Sequence, residues 1–133
     1  MIYSHQYQFS KRMEMVDITQ YLQEDLKNSK IKEGIIVVYT PHTTAGITIN
    51  ENADPDVVRD MIQGFERAFP TYHSDYQHFE GNSHAHIKST IFGPSQTLIV
   101  SCGKIILGVW QSVYLCEFDG PRNRTFYVKI IEG

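Results

Sequence analysis

Cysteine, tryptophan and net charge are all scarce in this chain of 133 residues, and no long apolar run interrupts it. Its two cysteines, Cys102 and Cys116, lie without the close spacing of a zinc cluster in strand-like surroundings, which points to buried free thiols, with pairing between neighbouring strands as the alternative. Twelve Lys and Arg against fifteen Asp and Glu give a net charge of −3. The basic residues are spread along the chain, so no duplex-binding stripe forms and no nucleic-acid partner is expected. No window reaches the roughly 20 apolar residues of a membrane span, and the N-terminus lacks a basic segment followed by an apolar one; a cytoplasmic protein without membrane attachment is expected. Phosphate-binding loops, dinucleotide fingerprints, a G-x-S-x-G elbow and C-x-x-C pairs are also missing, which argues against nucleotide hydrolysis, nicotinamide chemistry and serine or thiol catalysis.

What the chain does contain is apolar periodicity. At 41% hydrophobic it can bury a core unaided, and one domain over residues 1–133 is expected. Residues 2–9 alternate with Tyr3, His5, Tyr7 and Phe9 on one side, a strand that leaves His5 on a partly exposed face. Asp17 and Gln20 resemble a capping box opening a helix with Ile18, Tyr21, Leu22 and Leu26 on one face, which Gly34 stops. The β-branched run 35–40 suits a central strand buried on both faces. Asp54, Pro55 and Asp56 mark the start of a helix whose Val58, Met61, Ile62 and Phe65 face a core, and Pro70 ends it. Residues 71–81 read as an ordered loop rich in aromatics and histidine. Residues 82–94 fit either a strand or a helix; as a helix, favoured by the Gly93-Pro94 stop, it turns His84 and His86 about 200° apart so that only one faces a given pocket. The last forty residues read as a meander of strands over 97–101, 104–111, 113–118 and 125–131, with Trp110 and Gln111 packed inside a strand.

The polar density between the strand at 35–40 and the helix at 54 marks a candidate site. His42, Thr43, Thr44, Thr48, Asn50, Glu51 and Asn52 are more functionality than a simple connection requires. Asp54 is accounted for as a cap, whereas Glu51 is free for acid–base or metal work, unless it is an ordinary solvated carboxylate. Six histidines occur, four of them between residues 73 and 86, and imidazole is the commonest protein ligand for zinc. None has H-x-x-x-H spacing on a secure helix. The hydroxyls and amides, with Lys88, Arg122 and Arg124, can hold a phosphate, although Thr-rich stretches are also ordinary in strands.

Several separated blocks resemble the YjbQ-like family, whose members are also catalogued as secondary thiamine-phosphate synthases: residues 42–57, Tyr72-His73, Asn82 with 85–88, Gly93, Gly103, Gly108-Val109-Trp110-Gln111 and 117–124. Val109 stands where the family usually has Thr, and Tyr72 and His73 adjoin where one residue commonly separates them. The resemblance implies an α+β fold, a large mixed β-sheet sandwich with two to three helices, associating as a homotrimer with the histidines near a subunit boundary. It also implies transfer of a pyrimidinylmethyl group from hydroxymethylpyrimidine diphosphate to thiazole phosphate as a secondary activity. On that reading His42, His73 and His86 hold a divalent metal, zinc or magnesium. Glu51, Asn52 and Lys88 are catalytic, and Thr43, Thr44, Asn50, Arg122 and Arg124 bind a small phosphorylated substrate. The alternatives are a non-catalytic trimeric metal- or anion-binding protein and a metal-assisted hydrolase. All of them require His42 and His86 to meet in one polar hollow.

Overall fold

The computed structural model describes residues 1–133. Eight strands and three helices follow one another in the order β1 (Ile2–Gln8), β2 (Glu14–Asp17), α1 (Thr19–Ser29), β3 (Gly34–Tyr39), β4 (Ala45–Glu51), α2 (Pro55–Ala68), α3 (Ser83–Phe92), β5 (Ser95–Ser101), β6 (Lys104–Ile105), β7 (Gln111–Glu117) and β8 (Asn123–Glu132). They build a five-stranded sheet, β1-β8-β3-β5-β6, and a three-stranded sheet, β2-β7-β4. The α+β sandwich is the one expected, but every pairing is antiparallel, so neither sheet is mixed in direction. Neither sheet contains the parallel neighbours that a long crossover would have to join.

Between the sheets and α1 lies a core that includes Leu22, Leu26, Ile36, Val38, Ile47, Val113, Leu115, Phe126 and Val128. A side chain such as Leu22 or Leu115, with no exposed surface, contributes about 1.5–3 kcal/mol by leaving water. Alternation along β7 sends Val113 and Leu115 into this core and turns Tyr114 and Cys116 to a second one with Met13, Met15, Ala85 and Phe118. Against that second core pack Val58, Met61, Ile62 and Phe65 of α2, whose start is capped as expected: Asp54 accepts from the Asp56 amide and Pro55 is the first helical residue.

β7 is therefore the strand covered on both faces. In β3, by contrast, Ile36 and Val38 point inward while Tyr39 on the outer face is 42% exposed, so the expectation of double burial there does not hold within one chain. α1 closes at Lys30, which adopts the left-handed conformation (φ 62°), and Gly34 opens β3 instead of stopping the helix. A Cβ on Gly34 would lie 2.0 Å from the Ile131 carbonyl oxygen, so the close pairing of β3 with β8 demands glycine. The Asp17 carboxylate accepts from the Thr19 amide at 2.9 Å, but Asp17 belongs to β2 and the capping box with Gln20 is not formed. The expected strand over 104–111 shrinks to β6. After it the chain turns, with the Gln111 side chain accepting from the Gly108 amide at 2.7 Å, and Trp110 is left 64% exposed, not packed. Cys102 is exposed in the β5–β6 turn and Cys116 is buried; both are free. His5 lies on the inward side of β1, stacked 5.0 Å from Phe126, with Nε2 2.6 Å from Asp25. No helix is long and apolar enough to cross a membrane.

Candidate functional site

The site forms where the chain crosses from one sheet to the other. β3 ends at Tyr39, and buried Thr40 is held by its hydroxyl donating to the Thr125 carbonyl and its amide donating to the Pro94 carbonyl, each at 2.9 Å. Residues 41–44 then pass over the end of the sandwich into β4. There they meet the turn after β7, the first residues of β8 and the N-terminus of α3, and a cleft of about 500 Å³ opens with no hydrophobic residue in its lining. His42, Thr43 and Thr44 form one wall, His78, Glu80, Asn82 and His86 another, and Asp119, Arg122 and Arg124 the floor between them. His42 and His86 thus share one hollow although 44 positions separate them in the chain.

The floor is rigid because its charges are paired. Arg124, 4% exposed, donates from Nε to Glu117 Oε2 at 2.7 Å and from Nη2 to Glu117 Oε1, and Glu117 has no exposed surface. The same Nη2 donates to the hydroxyl of Thr44 at 2.8 Å, so the pair also fixes the chain beside His42. Nη1 of Arg124 makes no bond within the protein and is the part of the guanidinium left for a ligand. Asp119 accepts from Asn82 Nδ2 at 2.8 Å and from Arg122 Nη2 at 3.0 Å, tying α3 to the β7–β8 turn. The side-chain oxygen of Asn82 is buried without a partner.

His42 accepts at Nε2 from the Thr125 amide, 2.9 Å away, which requires an unprotonated Nε2 and places the ring proton on Nδ1. Burial, then the neighbouring Arg124, holds its pKa below the ordinary value, with Glu117 pulling the other way. The ring is therefore a neutral donor at pH 7 and not a free metal ligand through Nε2.

Of the site residues expected from sequence, His42, Thr43, Thr44, His86, Arg122 and Arg124 come together here. The others do not. Glu51, Asn50 and Asn52 lie at or just beyond the far end of β4, where Asn52 donates to Asp17 at 2.7 Å and the Glu51 carbonyl accepts from the Tyr114 hydroxyl at 2.9 Å. Six strand steps of about 3.3 Å separate Glu51 by some 20 Å from Ala45, where β4 leaves the cleft-lining residues 41–44. Lys88 faces away from the cleft and is fully buried, its Nζ 2.9 Å from Glu66 Oε1 and 2.9 Å from His84 Nδ1. This buried cluster explains His84 as well: the helical turn that aims His86 at the cleft sends His84 and Lys88 to the opposite side. His73 borders a neighbouring hollow. No three His, Cys, Asp or Glu side chains of the chain converge as a ligand set, so the chain does not bring His42, His73 and His86 together as the expected metal site.

His78, Glu80, Asn82, Asp119 and Glu117 complete the site without having been assigned to it from sequence. Asn82, Glu117 and Asp119 fall within blocks that carry the family resemblance, but nothing in the spacing distinguished His78 from a surface histidine.

Two antiparallel sheets with three helices and an all-polar histidine cleft at one end define the class of protein. Its sequence pattern is that of the family described as UPF0047 protein YjbQ-like, matched over residues 4–133, and the chain belongs to that family. It is 53% identical over 131 residues to UPF0047 protein MJ1081 of Methanocaldococcus jannaschii, covering 98% of this chain and 94% of that one. To UPF0047 protein YugU of Bacillus subtilis it is 50% identical, covering 98% and 99%. A crystal structure of a family member from Clostridium acetobutylicum superposes with a TM-score of 0.95 at 49% identity, over 97% of this chain and 99% of that one. A Sulfolobus solfataricus structure, described as a YbjQ-like protein of unknown function, gives 0.95 at 29% identity over 100% and 97%.

Proposed function

We propose that the cleft binds a small phosphorylated substrate and that the chain is a transferase of the thiamine-phosphate-synthase type. The observation that carries the reading is the meeting of His42 and His86 with Arg122 and Arg124 in one polar hollow. In such a reaction the bond between the pyrimidinylmethyl carbon and the diphosphate oxygen breaks, the thiazole nitrogen supplies the new bond to that carbon, and pyrophosphate leaves with the electron pair. The catalytic demand is stabilisation of charge on the departing oxygen. Nη1 of Arg124, the half-exposed Arg122 and Nδ1–H of His42 are donors suited to it. Lys88 has no part in this reading.

Association as a homotrimer belongs to the proposal. The outer face of the large sheet carries a group of apolar side chains where water would favour polar ones: Ile2, Val37, Tyr39 and Tyr127 border one hollow there beside Lys129, and Ile99 and Ile131 are 60% and 45% exposed.

The test is thiamine phosphate formation by wild type and His86→Ala, together with pyrophosphate binding and metal analysis. Turnover abolished by the substitution supports the transferase. Pyrophosphate binding without turnover in wild type supports the second reading, a non-catalytic anion-binding protein, favoured by the distance of Glu51 from the cleft. Zinc or magnesium that copurifies with wild type and is lost from His86→Ala adds an ion to the site.

A further inference from the structure

The chain between α2 and α3 is tied down at its two ends and hardly at all between them. At one end Arg12 Nη1 donates to the Thr71 hydroxyl at 2.8 Å, and at the other Asn82 Nδ2 donates to the Asp119 carboxylate at 2.8 Å. Residues 72–81 hydrogen-bond only among themselves: Tyr76 N–H to the His73 carbonyl, Gly81 N–H to the His78 carbonyl and Asp75 N–H to His73 Nδ1, each at 3.1 Å. None of their side chains enters either hydrophobic core, and all of them except Tyr76 are exposed. A segment with so few outside ties moves at little cost, the property from which active-site lids are drawn.

The part of this segment beside the cleft is the turn 78–81. His78 and Glu80 belong to the cleft wall, and Phe79 between them is 91% exposed. The turn meets α3 through the His78 ring, which stands edge-on to His86 with the ring centres 5.8 Å apart. Gly81 closes the turn at φ 74°, and a Cβ there would meet nothing within 4 Å. The left-handed backbone, not crowding, is therefore what favours glycine, and the turn has room to rotate about it.

Its two cleft side chains respond to an anion in opposite ways. His78 offers a ring N–H, whereas the Glu80 carboxylate is a like charge whose one ion-pairing partner is His78, 3.9 Å away. Both ride on one hydrogen-bonded turn, so an anion between the cleft walls draws one inward and drives the other outward. We propose that the turn 78–81 is a flap that swings when the cleft is occupied, bringing His78 onto the anion, turning Glu80 away and carrying Phe79 across the mouth. This rests on the anion-binding reading of the cleft and adds a contact residue and the means by which the site closes. Excluding water strengthens the bonds of Arg122 and Arg124 to the anion, which supplies the preference for the closed form that such a shift requires.

The test uses the full chain with inorganic pyrophosphate as the probe and reads its dissociation constant together with the rate of chymotrypsin cleavage after Phe79. Cleavage after Tyr72, which is 86% exposed but lies outside the turn, is the internal control. In wild type, pyrophosphate should slow cleavage after Phe79 about tenfold or more and leave cleavage after Tyr72 unchanged, since proteolysis follows the population of the open form. His78→Ala should weaken pyrophosphate about tenfold or more, the size of one hydrogen bond to a charged group, and abolish the protection, with His78→Gln restoring part of both. Glu80→Gln removes the repulsion and should tighten binding. Pyrophosphate bound equally by wild type and His78→Ala, or bound without protection of Phe79, overturns the flap and leaves the reading of the cleft intact. Equal slowing at Tyr72 and Phe79 also overturns it, as does a Phe79 that already resists cleavage in the free protein, because the ring is then covered by something else. Failure of pyrophosphate to bind wild type removes the reading of the cleft and the flap with it.

Discussion

Arg124→Met should be among the most damaging single substitutions in the protein. Glu117 has no exposed surface, and its carboxylate is balanced by Arg124 through Nε and Nη2, with the Asp119 amide as an additional donor at 2.9 Å. Removing the guanidinium leaves a buried carboxylate without its counter-ion, a change worth about 3–5 kcal/mol. A domain of this size has a total stability of about 5–15 kcal/mol, so the loss is a large fraction of it. At about 4 °C per kcal/mol for a chain of this length, the thermal midpoint falls by about 12–20 °C, measured by circular dichroism near pH 7. The double variant Glu117→Leu/Arg124→Met removes both charges and should unfold at a higher temperature than Arg124→Met alone. It does not reach wild type, because the Asp119 amide and the Thr44 hydroxyl lose partners worth about 1 kcal/mol each. A fall of less than about 4 °C for Arg124→Met, or losses that simply add in the double variant, would refute the argument that the pair is a coupled buried unit.

Acidification should destabilise the fold: burial and then Lys88 lower the pKa of His84 below its ordinary 6.5, and His42 is lowered too, so between the depressed folded value and 6.5 the unfolded chain binds more protons and stability falls with pH. His84→Asn, which keeps an acceptor for Lys88 without a titrating ring, should flatten the dependence of midpoint on pH over 5–7; an unchanged slope would contradict the assignment. Gly120→Ala should cost about 1–3 kcal/mol by denaturant titration, because the new Cβ would lie 2.1 Å from the Lys11 carbonyl oxygen and 2.9 Å from Glu117 Cγ; wild-type stability would show that the turn yields freely. One thiol, exposed Cys102, should react with a disulfide reagent in the native protein and two in denaturant, since burial pushes the Cys116 thiol up and seals it; two native thiols would mean that the second core opens.

The elements most legible in the sequence were those whose signals are local. Asp54, Pro55 and Asp56 start α2 because a cap, a fixed φ and a helix dipole act within one turn. The separation of His84 from His86 followed from the helical repeat alone. Signals that depended on partners misled: β3 has the composition of a doubly covered strand, but its outer face lacks a cover within the chain, while β7, with polar Ser112 and Glu117 at its ends, holds two cores apart. Lys88 looked like a free cation because, although the helical repeat sets His84 beside it, nothing along the chain announces Glu66, 22 positions away, as its partner.

The sequence by itself determined the family, the α+β class and the histidines worth watching, because residue type and short-range periodicity are written along the chain. Tertiary structure alone decided which polar groups meet. A strand is straight, so β4 carries Glu51 and Asn52 away from His42, whereas loop closure brings Asp119, Arg122 and Arg124 back to it. Distance in space is set by the direction of each element, and for the two ends of β4 that separation outweighs their nearness in sequence.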